Sequence, residues 1–168
     1  MNVLQRKLVN VLIQRPSKIN IGKAIEQIGD SILMDRPEMG MFYKDEVYRE
    51  ILVDIALISY VNFQVEKIGF VKFFNNKYSK YLFRIIKFIN KTELKSTFVA
   101  REVTHIFKEV QDIYKEVRKN GFSKENIAAL EEFDQDYYEL SNKWMIVLSK
   151  FIMKKIEESV KKSDIKAL

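Results

Sequence analysis

The sequence contains no cysteine, a single histidine, two prolines and five glycines. Without cysteine there is no disulfide, no thiolate metal ligand and no cysteine nucleophile, and a reducing, cytoplasmic setting is the expectation that follows. The scarcity of proline and glycine disfavours a turn-rich β sandwich. With His105 alone, no G-x-S-x-G motif and no Walker-type or dinucleotide glycine pattern, no recognisable nucleophile, base or phosphate-cradling loop is present. Long apolar runs are missing too. The longest, from Ile51 to Val61, contains Asp54 and falls short of the roughly 20 residues that a spanning helix needs. The N-terminal run from Leu8 to Ile13 is interrupted by Asn10, follows Arg6 and Lys7, and lacks a small-residue cleavage pattern, so no signal peptide and no membrane partner are expected.

What is present is helical periodicity. A chain of 168 residues with 47% hydrophobic and 31% charged residues suits one all-α domain, expected over residues 1–162 with a frayed tail at 163–168. Its architecture should be a bundle of about six to eight helices with a sharp glycine corner after a central helix.

Val3 or Leu4, Leu8, Val11 and Leu12 mark a first helix, Met1 to Gln14, stopped by Pro16. Ile21, Ala24, Ile25, Ile28 and Ile32 or Leu33 mark a second from Ser17 to Met34, with Pro37 ending it and a loop through Met39 and Gly40. A central helix, Lys44 to Glu66, should turn Val47, Ile51, Ile55, Ile58 and Val61 inward. Asp45, Glu46 and Glu50 stand near its positive end. After Gly69 comes a helix from Lys77 to Ile89. Thr92 is the expected N-cap of a long helix to Lys119, with Leu94, Phe98, Val103, Ile106, Phe107, Val110, Ile113, Tyr114 and Val117 in its core stripe. Asn120 and Gly121 supply a left-handed C-cap, Phe122 staples back, and Ser123 caps the next helix, making the two long helices antiparallel neighbours. From Lys124 to Val160 the pattern continues as one long helix or as two, with a break near Asp134.

The corner is the most informative segment. Val61, Val65 and Ile68 precede Gly69 at helical spacing, and Phe70, Phe73 and Phe74 follow it at helical spacing. Glycine tolerates positive φ and close backbone approach, so Gly69, Phe70, Phe73, Phe74 and Asn75 read as a turn whose aromatics anchor both arms.

Charge is polarised along the chain. Lys67, Lys72, Lys77, Lys80, Arg84, Lys87, Lys91 and Lys95 face only Glu93 within residues 67–95, whereas Lys124 faces Glu125, Glu131, Glu132, Asp134, Asp136 and Glu139 within residues 121–140. The net charge is +6. Lys80, Arg84, Lys87 and Lys91 form a basic helix face that could neutralise phosphates or simply be solvated. Asp134, Asp136 and Glu139 lack the mid-loop glycine and twelfth-position ligand of a calcium loop, so a capped, solvated acidic turn is expected there. Glu102, His105 and Glu109 spell E-x-x-H-x-x-x-E, half of a carboxylate-bridged di-iron signature. The other half would need another subunit, and the expectation is a histidine packed in the core or between helices, with no metal and no cofactor.

The segment V-x-x-x-G-F-x-x-F-F-N, Val65 to Asn75, together with Ile85 to Asn90 and Phe133-Asp134 with Tyr137-Tyr138, resembles the DNA-mimic-protein family of helical domains across residues 50–155. Ile68 stands where the family has a first glycine, and Lys72 where it has glutamine. The resemblance implies an all-helical, noncatalytic protein that acts by binding another protein, as immunity or regulatory partners do. Mimicry of DNA needs negative surface charge, and this chain is net positive, so that activity is not carried over.

The expectation is therefore a protein-binding module, an immunity protein or a regulator, whose acidic pole (Glu131, Glu132, Asp134, Asp136, Glu139) meets a basic partner such as a toxin or regulator. The alternative is nucleic-acid binding through Lys80, Arg84, Lys87 and Lys91. Association with a second copy stays open.

Overall fold

The computed structural model describes residues 1–13 and 21–166, with side chains up to residue 162. Among the described residues the protein is all-α, with seven α-helices and no strand: α1 (Val3–Ile13), α2 (Ile21–Asp35), α3 (Gly40–Lys44), α4 (Glu46–Phe73), α5 (Leu82–Lys91), α6 (Phe98–Asn120) and α7 (Lys124–Lys166). The expected stop at Pro16 and start at Ser17 lie outside the described residues. Of the expected tail, residues 163–166 are helical backbone at the end of α7, and residues 167–168 lie outside. None of these helices is long and apolar enough to cross a membrane.

The chain divides into two compact units: Met1–Ser59 with Met145–Leu168, and Tyr60–Trp144. The divisions fall inside α4 and inside α7, with no linker sequence at either.

In the first unit, Leu4, Leu8 and Leu12 of α1 and Ala24, Ile28 and Ile32 of α2 are buried, and α1 packs on α2. Lys7 pairs with Asp35 across the two helices. Gly29 lies against the ring of Tyr43, where an added Cβ would collide. The loop expected through Met39 and Gly40 is instead a 3-10 turn, Pro37–Met39, running into α3. Phe42 of α3 and Tyr48 of α4 stack with ring centres 4.6 Å apart. Asp45 caps α4, its Oδ1 accepting from the Val47 and Tyr48 amides at 2.9 and 3.3 Å. The buried stripe of α4 begins at Tyr48 and Leu52, while Val47 is 68% exposed. Ile55, Ile58 and Val61 are buried as expected, so the departure is confined to the first turn, where Asp45 caps the helix and Val47 faces outward.

In the second unit, a 3-10 turn, Ser79–Tyr81, takes the place of the first turn expected of the helix from Lys77, and α5 begins at Leu82. Thr92 is not the cap of the long helix. Its hydroxyl donates to the Ile89 carbonyl at 3.1 Å, a 3-10 turn follows at Glu93–Ser96, and Thr97 caps α6 by accepting from the Ala100 amide at 3.3 Å. This shift leaves Phe98 at the first position of α6 and 64% exposed, outside the core stripe to which its spacing assigned it.

The α6–α7 turn follows its sequence signature. Gly121 has φ 78° and donates its amide to the Val117 carbonyl at 2.8 Å, and Ser123 Oγ accepts from the Asn126 amide at 3.1 Å. Phe107 and Tyr137, at similar chain distances from Gly121, bring their rings to 5.3 Å, as expected of an antiparallel helix pair. Helix α7 is unbroken through Asp134, which settles the choice between one helix and two.

Candidate functional site

Gly69 interrupts α4 with φ 70° and ψ 166°, a conformation open essentially to glycine alone. The chain restarts as helix at Phe70, whose amide then belongs to the set of first-turn donors that have no partner within their own helix. Asp134 supplies the partner from α7: its Oδ1 accepts from the Phe70 amide at 2.7 Å. The other end of the same residue is held as well, since the Phe70 carbonyl accepts from the Phe74 amide at 3.1 Å and from the buried Tyr114 hydroxyl. One residue is pinned from three directions.

Asp134 is therefore not the cap of a fresh helix within α7, nor part of a solvated acidic turn. It is a half-buried carboxylate capping a helix 64 residues earlier in the chain. An added Cβ on Gly69 would stand 2.5 Å from Asp134 Oδ2, so the close approach and the cap depend on the same missing side chain.

Aromatic packing encloses the corner. The Phe70 ring meets Phe107 at 6.3 Å and Tyr137 at 5.8 Å, both edge-on, and Phe74 meets Tyr114 at 5.1 Å and Phe122 at 5.2 Å. Phe122 thus staples back onto the corner. The Tyr137 hydroxyl donates to Asn62 Oδ1 at 3.0 Å, which satisfies a buried polar pair inside the cluster. Burial pushes both Tyr114 and Tyr137 far above the ordinary phenol range, with the Asp134 charge adding to the first and the Glu66 charge to the second.

Beside the corner lies an open cleft of about 520 Å³, lined by Val65, Glu66, Ile68, Gly69, Asp134, Gln135, Tyr137, Tyr138 and Glu139. Burial raises the Asp134 carboxyl above its usual range and the Glu131 charge raises it further, while the hydrogen bond from Phe70 opposes both. Tyr138 is 62% exposed. The cleft thus offers three carboxylates and an accessible aromatic ring, a chemistry suited to an ammonium or guanidinium group.

The structure gathers two of the five acidic-pole residues, Asp134 and Glu139, into this cleft. Glu131, Glu132 and Asp136 are exposed on the same helix. Glu66 was not legible as a site residue, because nothing in its local sequence shows that α4 meets α7 there. The basic stripe divides: Arg84, Lys87 and Lys91 are exposed on α5, whereas Lys80 sits in the preceding 3-10 turn with its ammonium 5.2 Å from the Tyr81 ring centre. His105 is exposed, not packed in the core, and its Nδ1 lies 3.8 Å from Glu109 Oε1. Among the described residues no three His, Asp or Glu side chains gather where they could hold a metal ion. No protein-family model, curated protein or solved structure matches this chain.

Proposed function

We propose that this is a noncatalytic protein-binding module whose contact is the acidic cleft at the Gly69 corner and whose partner presents a basic side chain or segment. The observation that carries this reading is that Glu66, Asp134 and Glu139 line one cleft together with the exposed Tyr138. A cation entering the cleft would pair with these carboxylates, among them Asp134, whose charge burial already disfavours, and could rest against the tyrosine face. Glu131, Glu132 and Asp136 on the same helix would extend the negative field and speed encounter with a positive partner. The resemblance of the corner motif to the DNA-mimic-protein family favours an immunity protein or a regulator, with a basic toxin or regulatory protein as the target.

The test is an NMR titration with a short arginine-rich peptide, repeated with Glu139→Lys and Tyr138→Ala. Amide shifts centred on Gly69, Gln135 and Tyr138, weakened several-fold by each substitution, are the expected result. Shifts elsewhere, or an unchanged affinity in both variants, would remove the cleft as the contact.

A further inference from the structure

A second cleft, of about 370 Å³, has the opposite character. It is lined by Asn90, Lys95, Arg101, Thr104, His105 and Lys108, with no carboxylate in its walls. Arg101, His105 and Lys108 lie on one face of α6 at successive helical turns, Lys95 comes from the 3-10 turn before α6, and Asn90 comes from the end of α5. Asn90 also belongs to the exposed face of α5 that carries Arg84, Lys87 and Lys91. The basic face of α5 and the cleft thus share Asn90, and the Glu109 carboxylate lies 3.8 Å from His105 of the cleft lining.

Two largely exposed aromatic rings belong to the same two helices. Phe83 is 62% exposed and Phe98 is 64% exposed. Phe83 precedes Lys87 by four residues on α5, and Phe98 precedes Arg101 by three and Glu102 by four on α6, so each ring has a cation among its same-face neighbours. A cation that meets a phosphate beside a ring that stacks on a base is the arrangement by which proteins hold single strands. A duplex would leave both rings idle, since its bases are already stacked on one another.

We propose that α5, the start of α6 and the cleft joining them bind a single-stranded polynucleotide, with Lys87, Lys95, Arg101 and Lys108 on phosphates and Phe83 and Phe98 on bases. This goes beyond the acidic cleft and shares no residue with it.

The experiment is fluorescence anisotropy of the full chain with a labelled oligothymidylate of about twenty nucleotides, long enough to span several contacts. Four phosphate contacts predict a log-log salt slope of about −3, or roughly 50-fold weaker binding between about 50 and about 200 mM salt. Arg101→Glu should weaken binding and flatten that slope. Phe98→Ala should weaken binding roughly tenfold and leave the slope unchanged. Both positions are exposed, and circular dichroism is the check that the variants fold.

Parallel arms use a duplex of equal length, inorganic polyphosphate, and phosphatidylcholine vesicles containing phosphatidylserine. Equal or tighter binding to any of these, or no salt-sensitive complex with the single strand, overturns the proposal. So does a Phe98→Ala protein that binds the oligonucleotide as well as the parent. Failure of the arginine-rich peptide to bind at Gly69 would leave this result untouched, so the two readings fall separately.

Discussion

Gly69 and Gly121 provide a matched pair of probes for the corner. Both are glycines in nearly the same backbone conformation, φ 70° and ψ 166° at Gly69 against φ 78° and ψ 176° at Gly121. Alanine at either site must adopt a region that L-residues avoid, at a cost of about 1–3 kcal/mol. The lost flexibility of the unfolded chain is the same in both cases. Their surroundings differ sharply. A Cβ at Gly121 meets nothing within 4 Å, whereas at Gly69 it would sit 2.5 Å from Asp134 Oδ2. To relieve that clash Asp134 must move away, which leaves the Phe70 amide without its acceptor, a loss of about 1–3 kcal/mol for a buried donor. Gly69→Ala is therefore expected to cost about 2 kcal/mol more than Gly121→Ala, with strain alone setting the smaller value. Urea denaturation followed by far-ultraviolet circular dichroism measures both, provided the dependence on urea stays the same across variants. In an Asp134→Ala background the excess should vanish, because the clash and the cap are then gone together. Equal costs for the two glycines in the parent protein would refute the claim that Asp134 holds the corner.

The Asp134 carboxyl is raised in the folded state by burial, so the fold binds its proton more tightly than the unfolded chain does, and the stability it contributes is fully present below the ordinary value of about 3.9 and lost as pH rises through the raised value. The stability difference between the parent and Asp134→Asn, which keeps an oxygen for the Phe70 amide but does not titrate, should therefore move against the parent as pH climbs through that window; a difference that moves the other way in urea midpoints would contradict the burial argument. At the start of α6, Thr97→Ala should cost about 1 kcal/mol through the lost cap, and Thr92→Ala clearly less, since its hydroxyl bonds back to Ile89; thermal melts giving the reverse order would return the cap to Thr92.

Most of the helices and all of the tight α6–α7 turn were legible in the sequence, because the forces that make them act over three or four residues. The apolar stripes and the sequence Asn120-Gly121-Phe122-Ser123 each specify their own geometry through neighbouring amides and carbonyls. Even the glycine corner declared itself, since packed aromatics at helical spacing on both sides of Gly69 leave few other readings. Two errors fell at helix ends. Val47 and Phe98 fit the periodicity of their helices and yet are exposed, because which side of a first turn faces the core depends on where the cap falls.

The candidate site was another matter. Asp134 looks from its neighbours like a local cap, and only the packed chain reveals that its acceptor serves Phe70, 64 residues away. Glu66 and Glu139 meet at one cleft for the same reason. Periodicity determines which face of a helix is apolar, but the partner that an unpaired amide or carboxylate finds is chosen by tertiary packing. That choice turned a run of acidic residues into a cleft built around a glycine.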